Sequence, residues 1–266
     1  MAVSVRNLTY AYRRGPLVLK GISFEIPDGC SVCLLGPNGV GKSTLFKCML
    51  GLLPGYGGSI ILGGEDIRSL TAGQMARRVA YIPQSAAPVF SYTVRDMVLM
   101  GTTACTTGLR TPGRQETARA EEALEQLQIG HLADRLFTRI SGGERQLVLI
   151  ARALAQRAGV LIMDEPTASL DYGNQLRVLE QTRALARQGY TVIQATHNPE
   201  QAFLYADRVL AVKEGKLLAS GRPEEVLDAA LMQALYGVQV RVEQVCGGRV
   251  SVCVPEAAAA RPSNVL

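Results

Sequence analysis

Nine consecutive residues, Gly36-Pro37-Asn38-Gly39-Val40-Gly41-Lys42-Ser43-Thr44, limit how this chain can fold more than any other stretch. The glycines let successive backbone N–H groups curl round an anion, the lysine can reach its outer oxygens, and the hydroxyl of Ser43 is placed to ligate a divalent cation. Such a loop works only between a strand and a helix, and both are written in its flanks. Ser31-Val32-Cys33-Leu34-Leu35 is the short apolar run of a buried strand, and Ser43 to Leu50 continues with large apolar groups at helical spacing. The helix start adds its partial positive charge to the loop's donors, so the segment suits the phosphates of a nucleotide. A glycine-rich turn with no ligand would explain the glycines but not Lys42 followed by two hydroxyls.

The rest of the composition narrows the class. At 266 residues the chain can bury one large core or carry a core domain with a smaller lobe. Its net charge is +5, but the basic residues are scattered and do not interleave with aromatics, so no nucleic-acid partner is expected. The first residues lack the apolar core of a signal peptide, and no apolar stretch reaches the roughly 18 residues needed to cross a bilayer. A cytoplasmic chain is expected. Cys30 and Cys33 have a C-x-x-C spacing without a second pair, which reads as buried thiols, and Cys246 and Cys253 could approach across a hairpin at Gly247-Gly248 but are expected to stay reduced.

Along the chain, Val3 to about Ile26 alternates apolar and polar residues and breaks at Gly15-Pro16, which predicts antiparallel strands. Strands are also expected at Ser59 to Leu62 and Val79 to Ile82. After Gln84 the signal turns helical, with Thr93 as an N-cap and a second helix from Gln115 to Gln128. Val160-Leu161-Ile162-Met163 then returns to a strand covered on both faces and delivers Asp164 and Glu165 at its end. A helix from Tyr172 to Arg187 and a strand from Tyr190 to Ala195 lead to His197. Ligands of open α/β sheets bind at the carboxyl ends of strands, so Asp164, Glu165 and His197 should emerge on the side of the glycine-rich loop. Ser141-Gly142-Gly143-Glu144 has the capping-box spacing of a helix start and is a second anion-facing segment. Asp164 can hold Mg²⁺ and Glu165 can take a proton from an attacking water. Asp171 could cap the helix that follows it.

The loop at 36–44, Tyr81-Ile82-Pro83-Gln84, Ile140 to Gln146, Val160 to Pro166, Ser169-Leu170-Asp171 and Thr196-His197 occur in an order that resembles the ATP-binding cassette (ABC) subunits of membrane transporters, from Val3 to about Leu235. The resemblance implies a P-loop NTPase (RecA-like) parallel-sheet core with an N-terminal antiparallel β subdomain and a helical subdomain inserted over about 85–158. An ATPase domain over 1–240 would be followed by an extension over 241–266 whose end, from 255, is mobile. It also implies ATP held by Gly36 through Thr44, Mg²⁺ held by Ser43, Gln84 and Asp164, Glu165 on the attacking water, and His197 on the γ-phosphate. Tyr12 would stack on adenine, with Tyr10 the competing choice.

Further expectations follow from the same resemblance. Two copies pair head to tail, Ser141, Gly142 and Gly143 of one closing on the nucleotide of the other and Asp171 crossing between them. Gln84 senses a separate permease docked beside it and the helix starting near Thr93, at the cytoplasmic face of the membrane, with a substrate-binding protein acting indirectly. The segment from Tyr81 to Gly101 looks most like importers of iron-siderophore, haem and cobalamin. Glu144 would repel a triphosphate unless turned back toward the cap. A soluble cassette ATPase of DNA repair or translation is the alternative, although tandem cassettes and coiled-coil insertions are missing from the sequence. A P-loop kinase would leave Ser141 to Gln146 without a purpose.

Overall fold

The computed structural model describes residues 1–84, 91–103, 112–248 and 250–256. Two sheets share one core. The first strands, β1 (Val3–Ala11) and β2 (Leu17–Ile26), pair antiparallel, and β1 also pairs with β4 (Gly57–Leu62), which carries the short β5 (Glu65–Asp66). Alternation explains this sheet: Val3, Val5, Leu8, Leu19, Ile22 and Ile60 point to one face and are essentially buried.

The second sheet has the order β10-β9-β3-β8-β7-β6. Its parallel strands are β3 (Ser31–Leu35), β6 (Val79–Ile82), β7 (Val160–Asp164), β8 (Thr191–Thr196) and β9 (Arg208–Lys213), with β10 (Lys216–Gly221) antiparallel at one edge. Both faces of β3 are buried, as its unbroken apolar run requires. Helix α1 (Lys42–Met49) lies between the two sheets, where Phe46 is 1% exposed and joins one apolar cluster with Ile22, Ile60, Val32 and Ile162.

Strands β6 and β7 are neighbours in space although the helices α3 (Val94–Thr102), α4 (Arg114–Gln126) and α5 (Gly142–Ala155) intervene in sequence. These helices pack on one another and on the sheet through Val98, Ala120, Leu124, Phe137 and Leu147. The expected cap is in place: Thr93 Oγ1 accepts from the Asp96 N–H at 3.1 Å and Asp96 accepts from the Thr93 N–H at 3.0 Å. Positions 85–90 and 104–111 of this stretch lie outside the described residues.

On the same face of the sheet as α5 lie α6 (Tyr172–Arg187), and α7 (Pro199–Tyr205) and α9 (Ala229–Tyr236), the last two packing on Cys33, Leu35 and Val209. A hairpin of β11 (Val240–Val245) and β12 (Val250–Pro255) follows and lays β12 against α7. Cys253 there faces Val242 rather than Cys246, so the hairpin does not bring those two sulfurs together. Burial raises the thiols of Cys30 and Cys48 to about 11 and that of Cys33 to about 12, consistent with reduced sulfur used as a small apolar group. The tail beyond 256, expected to be mobile, lies outside the described residues.

Candidate functional site

The glycine-rich loop connects β3 to α1 at the carboxyl end of the parallel sheet. Gly41 takes φ 107°, a conformation that a side chain would strain, and ends the loop as the residue before the helix. Gly36 has a different reason: a Cβ there would stand 2.2 Å from the Val212 carbonyl oxygen. Asn38, Gly39, Gly41, Lys42, Ser43 and Thr44 line a cleft of about 330 Å³, and Gln84, Asp164 and Glu165 close it from the neighbouring strands. Pro37 and Val40 complete the loop; Pro37 contributes its carbonyl to Lys42.

Lys42 is 6% exposed. Its Nζ donates to the carbonyls of Gly36 at 2.5 Å and Pro37 at 3.2 Å and lies 3.4 Å from Glu165 Oε1. Burial pushes its ammonium below the usual lysine range, and the carboxylates of Glu165 and Asp164 oppose that shift. Ser43 Oγ donates to Asp164 Oδ2 at 2.9 Å, joining the two oxygens expected to hold Mg²⁺. The Tyr81 hydroxyl donates to the same carboxylate oxygen at 3.3 Å, and burial together with Asp164 raises that phenol to about 12.

Glu165 follows the last residue of β7 with φ 48°, a left-handed backbone unusual for a glutamate and characteristic of functional turns. Its other oxygen lies 3.5 Å from His197 Nδ1, at the end of β8. Lys42, Glu165 and His197 therefore form a chain of contacts from the loop to the neighbouring strand end. Register explains the convergence, since Asp164 pairs with Ala195 and Leu35 pairs with Thr196, which brings three strand ends level.

The two tyrosines are separated by their surroundings. Tyr12 is 43% exposed and its hydroxyl is 3.2 Å from Thr44 Oγ1, whereas Tyr10 packs against the core and meets the Tyr12 ring edge-on at 5.0 Å.

Ser141, Gly142, Gly143 and Asp171 do not line this cleft. They form a second cluster. Ser141 accepts from the Glu144 N–H at 3.2 Å, and Glu144 turns back to accept from the Ser141 N–H at 2.7 Å, which holds its carboxyl below the usual range. Leu170 packs beside Gly142. Asp171 accepts from the Asn174 N–H at 2.9 Å as the N-cap of α6.

Sequence reasoning missed the Tyr81 hydroxyl as an Asp164 partner and the Tyr12 hydroxyl on Thr44. It also missed Thr167 and Gln201, which stand with Glu165 and His197 around a small cavity of about 90 Å³. A strand-end tyrosine in register with β7 was the signal for the first; the others join residues far apart in sequence.

For a divalent cation, the donor set of a hydroxyl, a carboxylate and an amide carbonyl is all oxygen, which suits Mg²⁺ held partly by substrate phosphates and water. Among the described residues no group of three or more His, Cys, Asp or Glu could hold a metal ion.

The sequence model of a family described as ABC transporter matches residues 19–168. The chain is 40% identical over 229 residues to a cobalamin import ATP-binding protein of Halobacterium salinarum, covering 86% of this chain and 57% of that protein. It is 39% identical over 243 residues to a hemin import ATP-binding protein of Rhodococcus jostii, covering 91% and 82% of the two. Among solved structures, a transporter described as of metal-chelate ABC type, in an inward-facing conformation, matches with a TM-score of 0.84 and 32% identity over 96% of each chain.

Proposed function

The chain belongs to the ABC transporter family, and from that membership we propose that it binds and hydrolyses ATP to energise import of haem, cobalamin, an iron-siderophore or a similar metal chelate through separate permease subunits. The observation that carries the proposal is the convergence of Lys42, Ser43, Asp164 and Glu165 on one cleft, with His197 in contact with Glu165 behind it. Lys42 and the loop N–H groups bind the β- and γ-phosphates. Ser43, Asp164 and Gln84 would hold Mg²⁺, whose charge would offset that of the phosphates. Glu165 orients the attacking water and accepts its proton, while His197, already against Glu165, faces the γ-phosphate.

We assign 1–240 to the ATPase domain, with its helical part over about 85–158, and the rest to an extension. The segregation of Ser141, Gly142, Gly143 and Asp171 from the cleft supports a head-to-tail pair in which each copy completes the other's site. No helix among the described residues is long and apolar enough to cross a membrane. Transport therefore needs the permease, and the groove of about 580 Å³ lined by Leu52, Met75, Tyr81, Met100 and Arg152 offers it an apolar seat at the cytoplasmic face. Leu52 is 63% exposed there.

The test is Glu165→Gln in the complex with its permease. Turnover should fall by about a hundredfold or more, with ATP binding retained and an ATP-bound dimer accumulating. Unimpaired hydrolysis would remove Glu165 from this role.

A further inference from the structure

The parallel ladder between β7 and β8 ends at Asp164 and Ala195. Beyond it the two chains that carry Glu165 and His197 separate, and a side chain from α7 spans them. Thr196 Oγ1 donates to Gln201 Oε1 at 2.8 Å, and Gln201 Nε2 donates to Thr167 Oγ1 at 3.2 Å. Thr196 and Thr167 are 5% and 4% exposed, so neither hydroxyl has ready access to bulk water. All three residues border the cavity that also touches Glu165 and His197.

The direction of the amide follows from its neighbours. Thr196 Oγ1 accepts from the Asn198 N–H at 3.1 Å and gives its own proton to the Gln201 carbonyl oxygen, and the NH₂ serves Thr167. An apolar residue would fill the same volume and join neither hydroxyl. Thr196 immediately precedes His197, and Thr167 lies two residues past Glu165 on a turn closed by the Ala168 N–H on the Glu165 carbonyl at 3.2 Å. The bridge thus fixes the separation of the two strand ends independently of the direct contact between His197 Nδ1 and Glu165 Oε2.

We infer that Gln201 is a positioning residue for hydrolysis: its amide ties Thr196 to Thr167 and so sets where Glu165 and His197 stand relative to the phosphates. Its amide is taken up by the two threonines. Its effect belongs to turnover and not to nucleotide binding, whose ligands sit on the glycine-rich loop. The inference rests on the hydrolytic reading of Glu165, and misplacement of a reacting group by about 1 Å can cost on the order of a hundredfold in rate.

The test compares Gln201→Leu, Thr167→Val, their double variant, Thr167→Ser and Glu165→Gln in the full chain with its permease, measuring kcat, KM and ATP affinity. Gln201→Leu and Thr167→Val should each lower kcat by about tenfold with ATP affinity within about twofold of the parent, the double variant should be no slower than the worse single one, and Thr167→Ser should stay near the parent. Should Gln201→Leu not fold, the Thr167→Val and Thr167→Ser comparison still decides. Normal kcat in the bridge variants beside an inactive Glu165→Gln would overturn the bridge alone, as would multiplicative losses in the double variant or an equal loss of ATP affinity. Full activity in Glu165→Gln would remove the hydrolytic reading, and the bridge with it.

Discussion

At the residue scale, the site is a set of short contacts between groups of opposite demand. Lys42 is buried and needs anions or carbonyls; Asp164 needs donors and takes them from Ser43 and Tyr81. Tyr12 offers an exposed ring beside Thr44 while Tyr10 sits below it, and on that ground we propose Tyr12 as the ring that stacks on adenine. Stacking of a base on an aromatic ring contributes about 1–3 kcal/mol. Tyr12→Ala should therefore weaken ATP binding by about tenfold in a titration with a fluorescent ATP analogue, whereas Tyr10→Phe, which keeps the packed ring, should leave it within about twofold of the parent. The lysine, the hydroxyls and the paired acids were legible because chemistry and spacing sit in one short stretch. Tyr81, Thr167 and Gln201 were not, because each acquires its partner 34 or more positions away or across a helix turn whose direction no local pattern gives.

At the element scale, helix starts recur as the working parts. The starts of α1 and α5 carry the loop and the Ser141 segment, whereas α3 borders the apolar groove with its last turn, at Met100 and Gly101. Thr93 and Asp96 satisfy each other's backbone donors at the start of α3. Thr93→Ala should cost about 1 kcal/mol, read as a lower midpoint in urea with an unchanged slope, and should loosen permease binding more than ATP binding. Strand order was only partly legible. Apolar runs identify β3 and β7 as buried, but that β6 returns beside β7 across the α3 to α5 segment is a long-range pairing, and the β11–β12 hairpin shows its register only once folded.

At the scale of the whole molecule, the Ser141 segment, which we propose faces a nucleotide, does not line the cleft of the glycine-rich loop, so on that proposal one copy does not use both on one nucleotide. Ser141→Arg places a bulky cation on an exposed helix start. ATP affinity of the single chain should change by less than about twofold, while the ATP-dependent dimer formed by Glu165→Gln should be lost from size-exclusion profiles when the two substitutions are combined. Normal dimerisation of that combined variant would refute the head-to-tail arrangement. The clasp on Lys42 has its own corollary for how such a machine idles. On the proposed roles, a triphosphate that recruits Lys42 draws on a cation shared by two carbonyls and Glu165, so that binding the nucleotide and freeing that acid for a new partner are coupled.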